Sequence, residues 1–378
     1  MIRVLHIITR LDVGGSADNT VISATQMPRE EFASCLLSGH TTDLPPALAA
    51  TIARAGIPWI QLPNLHRRVS PAADCLALWG VRRAIRTLQP DIVHTHTSKA
   101  GFLGRLAARL AGVPHIVHTP HGHVFHDYFS VPTTRLFVVL ERWAARWTDR
   151  IITLSDEEAA DHLRRGIGRP GQFVTIPSGV DLRTVSASPR ERRGSEGPVV
   201  GSVARLVPVK GLENLIAAAP EILRRCPRAR FLLVGDGELR TALEAKTREL
   251  GLTDRIIFTG FREDVPSLIA GMDVFVLPSL NEGMGRVLVM AMALGKPIAA
   301  TRVGGVPELL GDDEAGILVP PGDPSALADA VSTLLADSRR ASALGEAGRR
   351  RATRYGAEAM ITALAKLYRE VMDAPPSR

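Results

Sequence analysis

Residues 274–297 read VFVLPSLNEGMGRVLVMAMALGKP and contain the three parts of one strand–loop–helix unit. The first four residues are apolar and predict a buried strand, whereas the Ala-, Met- and Leu-rich end predicts a helix. Between them, Gly283 and Gly285 allow a tight turn that brings backbone amides to the start of the helix. The stretch therefore predicts one repeat of a sheet covered by helices.

The same order of strand, loop and helix recurs along the whole chain. The predicted strands cover residues 4–8, 33–37, 92–96, 116–118, 151–154 and 173–176, then 199–203, 229–234, 256–259, 274–277, 298–300 and 317–319. In the first half, apolar residues at helical spacing cover residues 20–27, 73–88, 100–110, 135–147 and 156–165. This alternation predicts an α/β fold with doubly wound parallel sheets covered on both faces.

The length predicts two such domains. A chain of 378 residues, 45% of them hydrophobic, is long enough for two cores at roughly 150 residues per domain. Residues 182–198 are polar, contain Gly, Pro and Ser, and show no apolar face, so we expect a linker there. We therefore expect domains at residues 1–181 and 199–355, followed by a C-terminal helix and tail at residues 356–378.

The composition favours a cytoplasmic chain. The N-terminal apolar run is cut by Arg10 and is too short for a signal peptide, and no run of about 18 apolar residues could span a bilayer. The three cysteines are odd in number and form no CxxC pattern, which favours a reducing compartment. The net charge of +7 is spread over many predicted helices and aromatic residues make up only 4%, so we expect no nucleic-acid partner.

Glycines and cations follow several predicted strands, where the ligands of doubly wound sheets bind. Gly14 and Gly15 lie before a helix expected to begin near Asn19, and paired glycines let backbone amides approach a phosphate, although a simple tight turn uses the same pair. Arg205 and Lys210 follow the first strand of the second half. They could clamp a diphosphate or could be solvated surface charges.

Glu282 stands at the end of a predicted strand beside the glycine loop. It places a carboxylate that accepts hydrogen bonds from hydroxyl groups next to backbone donors, which suits a sugar attached to a diphosphate. The sequence contains no Asp-x-Asp pair to hold a metal ion against such a ligand. The histidines cluster at residues His115, His118, His121, His123 and His126, but their spacing matches no standard zinc pattern. We therefore expect no metal and no other cofactor.

Together these motifs resemble the family-4 group of retaining glycosyltransferases, over nearly the whole chain. The stretches that carry the resemblance are Gly14-Gly15, Thr119-Pro-His121-Gly122, Ile176-Pro-Ser-Gly179-Val-Asp181, Arg205 with Lys210-Gly211, Gly235-Asp-Gly237, and Pro278-Ser279 with Glu282-Gly283. The resemblance implies the GT-B fold, in which two Rossmann-like domains face a cleft and the C-terminal helix returns to the N-terminal domain. It also implies that the N-terminal domain binds the acceptor and the C-terminal domain binds the nucleotide sugar.

The resemblance implies transfer of a hexosyl or N-acetylhexosaminyl group, with retention at the anomeric carbon. The expected donor is a UDP-sugar, although relatives with the same motifs use GDP-sugars, and the expected acceptor is a lipid-linked saccharide or another polysaccharide precursor. Carried over by position, the catalytic residues would be His121, near the reacting carbon, and Glu282, facing the sugar hydroxyls. The donor-binding residues would be Gly14, Gly15, Arg205, Lys210, Gly235, Phe261, Arg262, Gly283, Met284, Gly285, Arg286 and Met290, with Phe261 and Arg262 bordering the base.

Met290 departs from the family pattern. The second carboxylate of the Glu-x7-Glu motif, which in the family accepts hydrogen bonds from the nucleotide ribose, would fall at this position. A thioether there loses a charge-assisted contact worth about 1.5 to 3 kcal/mol. Glu308 is a candidate substitute. Two other functions therefore remain open, a catalytically impaired protein that binds sugar nucleotides and a nucleotide-sugar 2-epimerase.

Residues 135–147, RLFVVLERWAARW, combine arginines with apolar and aromatic residues. A basic helix of this kind can lie in an anionic membrane interface, and Arg82, Arg83 and Arg86 would add to it. The alternative is that the apolar residues simply cover the sheet. We expect peripheral contact with the inner face of a bacterial plasma membrane and a polyprenyl-diphosphate-linked acceptor.

Overall fold

The computed structural model describes residues 1–12, 14–41, 44–121, 131–189 and 197–375, with the backbone alone at residues 131 and 132. Two compact units are present. The first consists of Met1–Gly179 together with Ala357–Arg378, and the second of Val180–Gly356.

The described strands are β1 Ile2–Ile8, β2 Phe32–Gly39, β3 Trp59–Leu62, β4 Ile92–His96, β5 His115–Thr119, β6 Arg150–Thr153, β7 Phe173–Thr175, β8 Val199–Val203, β9 Arg230–Val234, β10 Ile256–Phe258, β11 Val274–Leu277, β12 Ile298–Thr301 and β13 Ile317–Val319. The described α-helices are α1 Gly15–Thr25, α2 Pro46–Ala55, α3 Pro71–Leu88, α4 Ser98–Ala111, α5 Val131–Ala145, α6 Asp156–Arg164, α7 Leu182–Ser186, α8 Leu212–Arg225, α9 Arg240–Glu249, α10 Val265–Gly271, α11 Arg286–Ala293, α12 Val306–Leu310, α13 Pro324–Ala336, α14 Ser338–Ala352 and α15 Ala357–Asp373.

Each unit contains one parallel sheet. The first sheet has seven strands in the order β3-β2-β1-β4-β5-β6-β7, and the second has six in the order β10-β9-β8-β11-β12-β13. All paired strands are parallel, which confirms the predicted doubly wound α/β class. Among the described helices and strands of the first unit, the sequence patterns missed α2 and β3, two short elements with prolines close to their ends.

Two predictions about element boundaries were wrong. The helix expected near Asn19 begins four residues earlier, at Gly15, because Asn19 is buried and donates to Ser178 Oγ at 2.9 Å instead of capping the helix. Within the expected linker at residues 182–198, the first part forms α7. Asp181 caps this helix by accepting from the amides of Arg183 and Thr184 at 3.1 and 3.2 Å, and α7 lies against α10 and α11 of the second unit. Residues 190–196 of that segment lie outside the described residues.

The C-terminal helix α15 packs on the first sheet, as predicted. Its apolar face consists of Met360, Leu364, Leu367 and Val371, which follow helical spacing and are buried with strand residues such as Ile92 and Val117. The chain thus leaves the first unit at Gly179 and returns to it at Ala357. Among the described helices, none has both the length and the apolar character needed to cross a bilayer.

We predict that Leu364→Ala lowers the free energy of unfolding of the first unit by about 2 to 5 kcal/mol, because Leu364 is 2% exposed and its removal leaves a cavity under α15. The control is Lys366→Ala on the same helix, whose side chain is 77% exposed and whose loss should change stability by less than about 0.5 kcal/mol. All 4 tryptophans lie in the first unit, so denaturation followed by tryptophan fluorescence reports on that unit. Equal effects of the two variants would contradict the packing of α15.

Candidate functional site

The second sheet reverses its strand order between β8 and β11, which are adjacent. In doubly wound sheets, ligands bind beyond the carboxyl ends of the strands at such a point. After β8 the chain forms a 3-10 turn at Pro208–Lys210 and enters α8 at Leu212. After β11 it passes through residues 278–285 and enters α11 at Arg286. Of the residues that the sequence assigned to a donor site, these two loops carry Arg205, Lys210, Gly283, Met284 and Gly285.

Lys210 and Glu282 form an ion pair across these loops. Lys210 Nζ lies 2.5 Å from Glu282 Oε2, and Ser279 Oγ donates to the same oxygen at 3.0 Å. The Lys210 side chain is 21% exposed and that of Glu282 is 11% exposed, so both remain accessible to a ligand. Because both contacts use Oε2, they leave Oε1 for other partners. The structure therefore brings together two residues that are 72 positions apart in the sequence.

Two glycines set the spacing of these loops. Gly304 has φ +48°, and a Cβ there would lie 1.8 Å from the carbonyl oxygen of Glu282. Gly211 has φ +58°, and its Cβ would lie 2.3 Å from the carbonyl oxygen of Pro278. Neither position has room for a side chain, so the glycines allow the loop after β12 and the start of α8 to press against the Glu282 loop. We had not assigned Gly304 to the site from the sequence.

The start of α11 lies directly after Glu282. Gly285 has φ +77° and caps the helix, and Arg286 is its first helical residue. The first amides of a helix have no partner within the helix and favour an anion. Met284 is 3% exposed, so its side chain belongs to the core and does not offer a surface to a ligand. Met290 is partly buried and lies one turn after Arg286 on the same face of the helix.

Arg205 is exposed in the loop after β8, which is fixed to the loop after β9. The amide of Leu206 donates to the carbonyl oxygen of Asp236 at 2.9 Å. Gly235 has φ +129°, and a Cβ there would lie 2.0 Å from the carbonyl oxygen of Ala204. The structure thus gives Gly235 a steric function between two loops. Its predicted contact with a donor is a separate matter and stays a prediction.

Phe261 and Arg262 follow β10, the edge strand, with β9 and β8 between it and β11. Phe261 is 53% exposed. The Arg262 guanidinium donates to both oxygens of Asp264, at 2.7 and 2.5 Å. The two residues therefore lie three strands away from the strand that precedes Glu282, which is compatible with a ligand that extends along this edge of the sheet.

In the first unit, His121 follows β5 and is linked to two buried histidines. His121 Nε2 lies 2.9 Å from His96 Nδ1, and His96 Nε2 lies 3.2 Å from His6 Nδ1. His94, beside them, contacts Tyr368 Oη at 2.7 Å and Thr119 Oγ1 at 2.8 Å. His121 is partly exposed and has φ +64°, a strained conformation for a residue with a side chain. Buried side chains of the sheet thus contact a histidine that is partly exposed to solvent.

His6, His94 and His96 are not among the site residues predicted from the sequence. A signal was present, because residues two apart on a strand face the same side, and His94 and His96 are two apart on β4. Burial lowers the pKa of His6 to about 3 and is the main reason that the pKa values of His94 and His96 fall well below the usual range. These rings are therefore neutral at physiological pH.

The structure describes only part of the histidine cluster predicted around His121. His115 and His118 lie on β5, where His118 Nδ1 contacts Thr95 Oγ1 at 2.9 Å. His123 and His126 lie outside the described residues, as does Gly122. Gly14 and Gly15 lie at the N-terminus of α1, directly after β1, where helix amides can meet an anion.

Comparison with known proteins supports the assignment of both units. A family described as "Glycosyl transferases group 1" matches residues 197–337, and a "Glycosyl transferase 4-like domain" matches residues 23–179. The chain is similar to the UDP-Gal:alpha-D-GlcNAc-diphosphoundecaprenol alpha-1,3-galactosyltransferase of Escherichia coli, with 34% identity over 68% of this chain and 70% of that protein. It is also 34% identical to the 2-deoxystreptamine glucosyltransferase of Streptomyces kanamyceticus, over 76% of this chain and 81% of that protein.

A solved structure shares the fold of the whole chain. Anabaena HepE, in a complex with UDP and glucose, superposes with a TM-score of 0.82 at 24% identity, covering 98% of this chain and 100% of that one. At this identity the likeness concerns the arrangement of strands and helices alone.

We predict that Lys210→Ala weakens binding of UDP roughly 10- to 150-fold, because a diphosphate loses a charge-assisted contact worth about 1.5 to 3 kcal/mol. The change also removes the cation beside Glu282, whose carboxylate then repels the ligand. Adding Glu282→Gln should therefore restore part of the affinity. Calorimetric titration measures both effects, with Lys366→Ala as the control. Unchanged affinity in Lys210→Ala would exclude a diphosphate from this pair.

Proposed function

The chain belongs to the group 1 glycosyl transferases, and from this premise we propose that it transfers a hexosyl or N-acetylhexosaminyl group from a UDP-sugar to a lipid-linked saccharide or another polysaccharide precursor. Its two doubly wound sheets are those of the GT-B fold, as the resemblance predicted. It is a glycosyltransferase, whereas the donor, the acceptor and the stereochemistry are our proposal. The observation that carries the proposal is the accessible Lys210–Glu282 pair at the switch point of the second sheet.

In this proposal the cations neutralise the departing diphosphate. Lys210, together with Arg205 in the same loop and the amides at the start of α11, would stabilise the negative charge that develops on the leaving group. Glu282 would exchange its contact with Lys210 for hydrogen bonds to sugar hydroxyls. A donor that carries both a diphosphate and hydroxyl groups can contact Lys210 with the diphosphate and Glu282 with the hydroxyl groups. A ligand with only one of these groups would leave one of the two charges without a partner.

The bond changes follow from this arrangement. The bond between the anomeric carbon and the diphosphate oxygen breaks, a bond from the same carbon to the acceptor oxygen forms, and the acceptor proton passes to the released diphosphate. We propose retention at the anomeric carbon through a short-lived ion pair with oxocarbenium character. His121 would lie near that carbon on the acceptor side. Since the cations of the loops supply the positive charge, we propose that the reaction requires no divalent metal.

A lipid-linked acceptor is supported by an exposed surface on α3 and α5. On α5 and directly after its end, the exposed residues are Arg135, Leu136, Val139, Arg142, Trp143 and Arg146, which share one face by helical spacing. On α3, Leu76 and Trp79 are 59% and 69% exposed, beside the exposed Arg83 and Arg86. By contrast, Phe137 and Val138 pack against a buried cluster. The two interpretations of this helix, as a cover for the sheet and as a surface for the membrane, therefore both apply. One face of the helix covers the core, and the other presents apolar and basic groups to a partner.

We propose that this basic apolar surface contacts anionic lipid at the inner face of a bacterial plasma membrane. The Escherichia coli relative is named for an acceptor linked to diphosphoundecaprenol, which is a membrane lipid. An arginine near an anionic surface contributes about 1 kcal/mol, and exposed Trp and Leu side chains can enter the headgroup region.

The donor is tested by thermal stabilisation with a panel of UDP- and GDP-sugars. A ligand at 100 times its dissociation constant adds about 2.7 kcal/mol, so we expect stabilisation by at least one UDP-sugar and by UDP. A response to GDP-mannose alone would replace the UDP assignment.

The reaction is tested by incubating the stabilising donor without acceptor, with and without EDTA. Slow release of nucleotide, unchanged by the chelator, is expected for a metal-independent transferase. Isomerisation at C2 of the sugar would indicate the epimerase instead. Binding without either reaction, including when lipid-linked acceptors are added, would indicate a catalytically impaired binding protein. Loss of activity in EDTA that added metal restores would refute metal independence.

We predict that Met290→Glu tightens UDP binding by up to about 10- to 150-fold, because the carboxylate restores a charge-assisted contact to the ribose worth about 1.5 to 3 kcal/mol. Met290→Gln is the matched control for size without charge and should give a smaller gain. Calorimetric titration measures both. Equal or weaker binding by Met290→Glu would mean that another group, such as Glu308, already occupies the place of the missing carboxylate.

Membrane contact is tested by co-sedimentation with vesicles of phosphatidylglycerol and phosphatidylcholine. We expect salt-sensitive binding to anionic vesicles and no binding to neutral ones. The triple variant Arg135→Glu, Arg142→Glu, Arg146→Glu should abolish it. The matched control is Arg339→Glu, Arg340→Glu, Arg350→Glu, which makes the same charge change at exposed positions of α14 in the second unit. Equal effects of the two triple variants would show that net charge, rather than this surface, causes the binding.

A further inference from the structure

The buried histidines beneath His121 have a chemical consequence for that residue. Three strands meet here, since β4 lies between β1 and β5 and pairs with both. His6 and His96 are fully buried at 0% exposure, whereas His121 is partly exposed. Contacts of 3.2 and 2.9 Å connect the three rings in series, from His6 through His96 to His121. The series thus runs from the interior of the sheet to its ligand-binding edge.

The central ring can carry only one proton. Burial, reinforced by the neighbouring imidazoles, holds the pKa of His96 far below physiological pH, so the ring is neutral. A neutral imidazole has one N–H donor and one nitrogen acceptor. If His96 donates from Nδ1 to His121, it must accept at Nε2 from His6. If it donates from Nε2 to His6, it must accept at Nδ1 from His121. When His121 is also neutral, all three rings carry the proton on the same type of nitrogen in both cases.

A metal ion is the other use for a group of histidines. Ring nitrogens of His6, His94 and His96 lie within 4.8 Å of one another. However, both nitrogens of His94 already contact hydroxyl groups, and both nitrogens of His96 contact imidazoles. A metal would have to break several of these short contacts in a fully buried site. The observed geometry is therefore that of a hydrogen-bonded chain.

We propose that His96 is a positioning residue that fixes the ring orientation and the tautomer of His121, within a chain of three imidazoles that share one tautomer. The proposal rests on the proposed function in assigning His121 to the acceptor side of the transfer site. His121 needs such support because its backbone has φ +64°, a left-handed conformation that a residue with a side chain rarely adopts. A hydrogen bond from a rigid, buried ring holds the imidazole in one of its two flipped orientations.

Two substitutions separate the two contacts of His96. The amide of asparagine occupies the place of Nδ1, so His96→Asn keeps a polar group facing His121 and loses the contact to His6. The amide of glutamine reaches the place of Nε2, so His96→Gln keeps the contact to His6 and loses the one to His121. For a histidine that binds a metal, loss of the partner that orients its ring costs about 10- to 100-fold in activity, and we expect a fall in the same range here. We expect this fall in kcat for His96→Gln, with an unchanged donor KM, and a smaller fall, within about five-fold, for His96→Asn.

Two controls identify the cause of any loss. His162→Gln removes another buried imidazole of the first unit, on α6, and should leave kcat unchanged if the protein folds. Combining His96→Gln with His121→Ala should give no further loss beyond His121→Ala alone, since His96 acts through His121. Equal losses in His96→Asn and His96→Gln, or additive losses in the double variant, would overturn the positioning role.

Nuclear magnetic resonance of protein labelled with 15N-histidine tests the chain without any substrate, so its outcome is independent of the proposed reaction. The resonances are assigned by replacing one histidine at a time. We expect His6, His96 and His121 to show the same neutral tautomer, and the His121 signal to become an average of two tautomers in His96→Gln. Mixed tautomers among the three rings, a charged His96, or one equivalent of bound zinc in the purified protein would overturn the chain.

Discussion

Parallel strand direction is the constraint on which the rest of this structure depends. Because every strand of a sheet points the same way, each chain segment that follows a strand leaves at the same edge. This edge therefore collects backbone amides, the first turns of helices and polar side chains. The amides there have no neighbouring strand to accept their hydrogen bonds. Lys210 and Glu282 meet for this reason, since they follow two strands that are neighbours in the sheet but distant in sequence. Close approach at Gly211 and Gly304 then fixes their distance.

The two units handle buried polar groups in different ways. In the second unit, the charges of Lys210 and Glu282 are partly exposed and offset one another, so a ligand with complementary charge can replace the internal contact. In the first unit, full burial excludes charge, and His6, His94 and His96 are held neutral by the loss of hydration. A charged, exchangeable site suits an anionic donor. A neutral, rigid network suits the precise placement of one accessible ring.

The helix α15 connects the end of the chain to this network. Tyr368 on α15 is fully buried, and its hydroxyl lies 2.7 Å from His94 Nδ1. The ring of His94 lies 4.1 Å from that of His96, measured between centroids. Packing of the C-terminal helix, which is driven by its apolar face, therefore also supports the polar groups beneath His121. The stability of the first unit and the geometry of its candidate site have a common origin.

The sequence by itself determined the α/β class, the two doubly wound sheets and the family. The spacing of apolar residues and the positions of glycines are local properties of the chain, so they can be read without the tertiary structure. It also located the loops after β8 and β11 and the departure at Met290. It could not show that Ser279 and Lys210 share one oxygen of Glu282, nor that His6, His96 and His121 form a series. Those contacts join strands far apart in the chain, so only the tertiary packing of the sheet decided them. The start of α1 and the presence of α7 also depended on contacts that the local pattern does not contain. For α1 this contact is the one between Asn19 and Ser178.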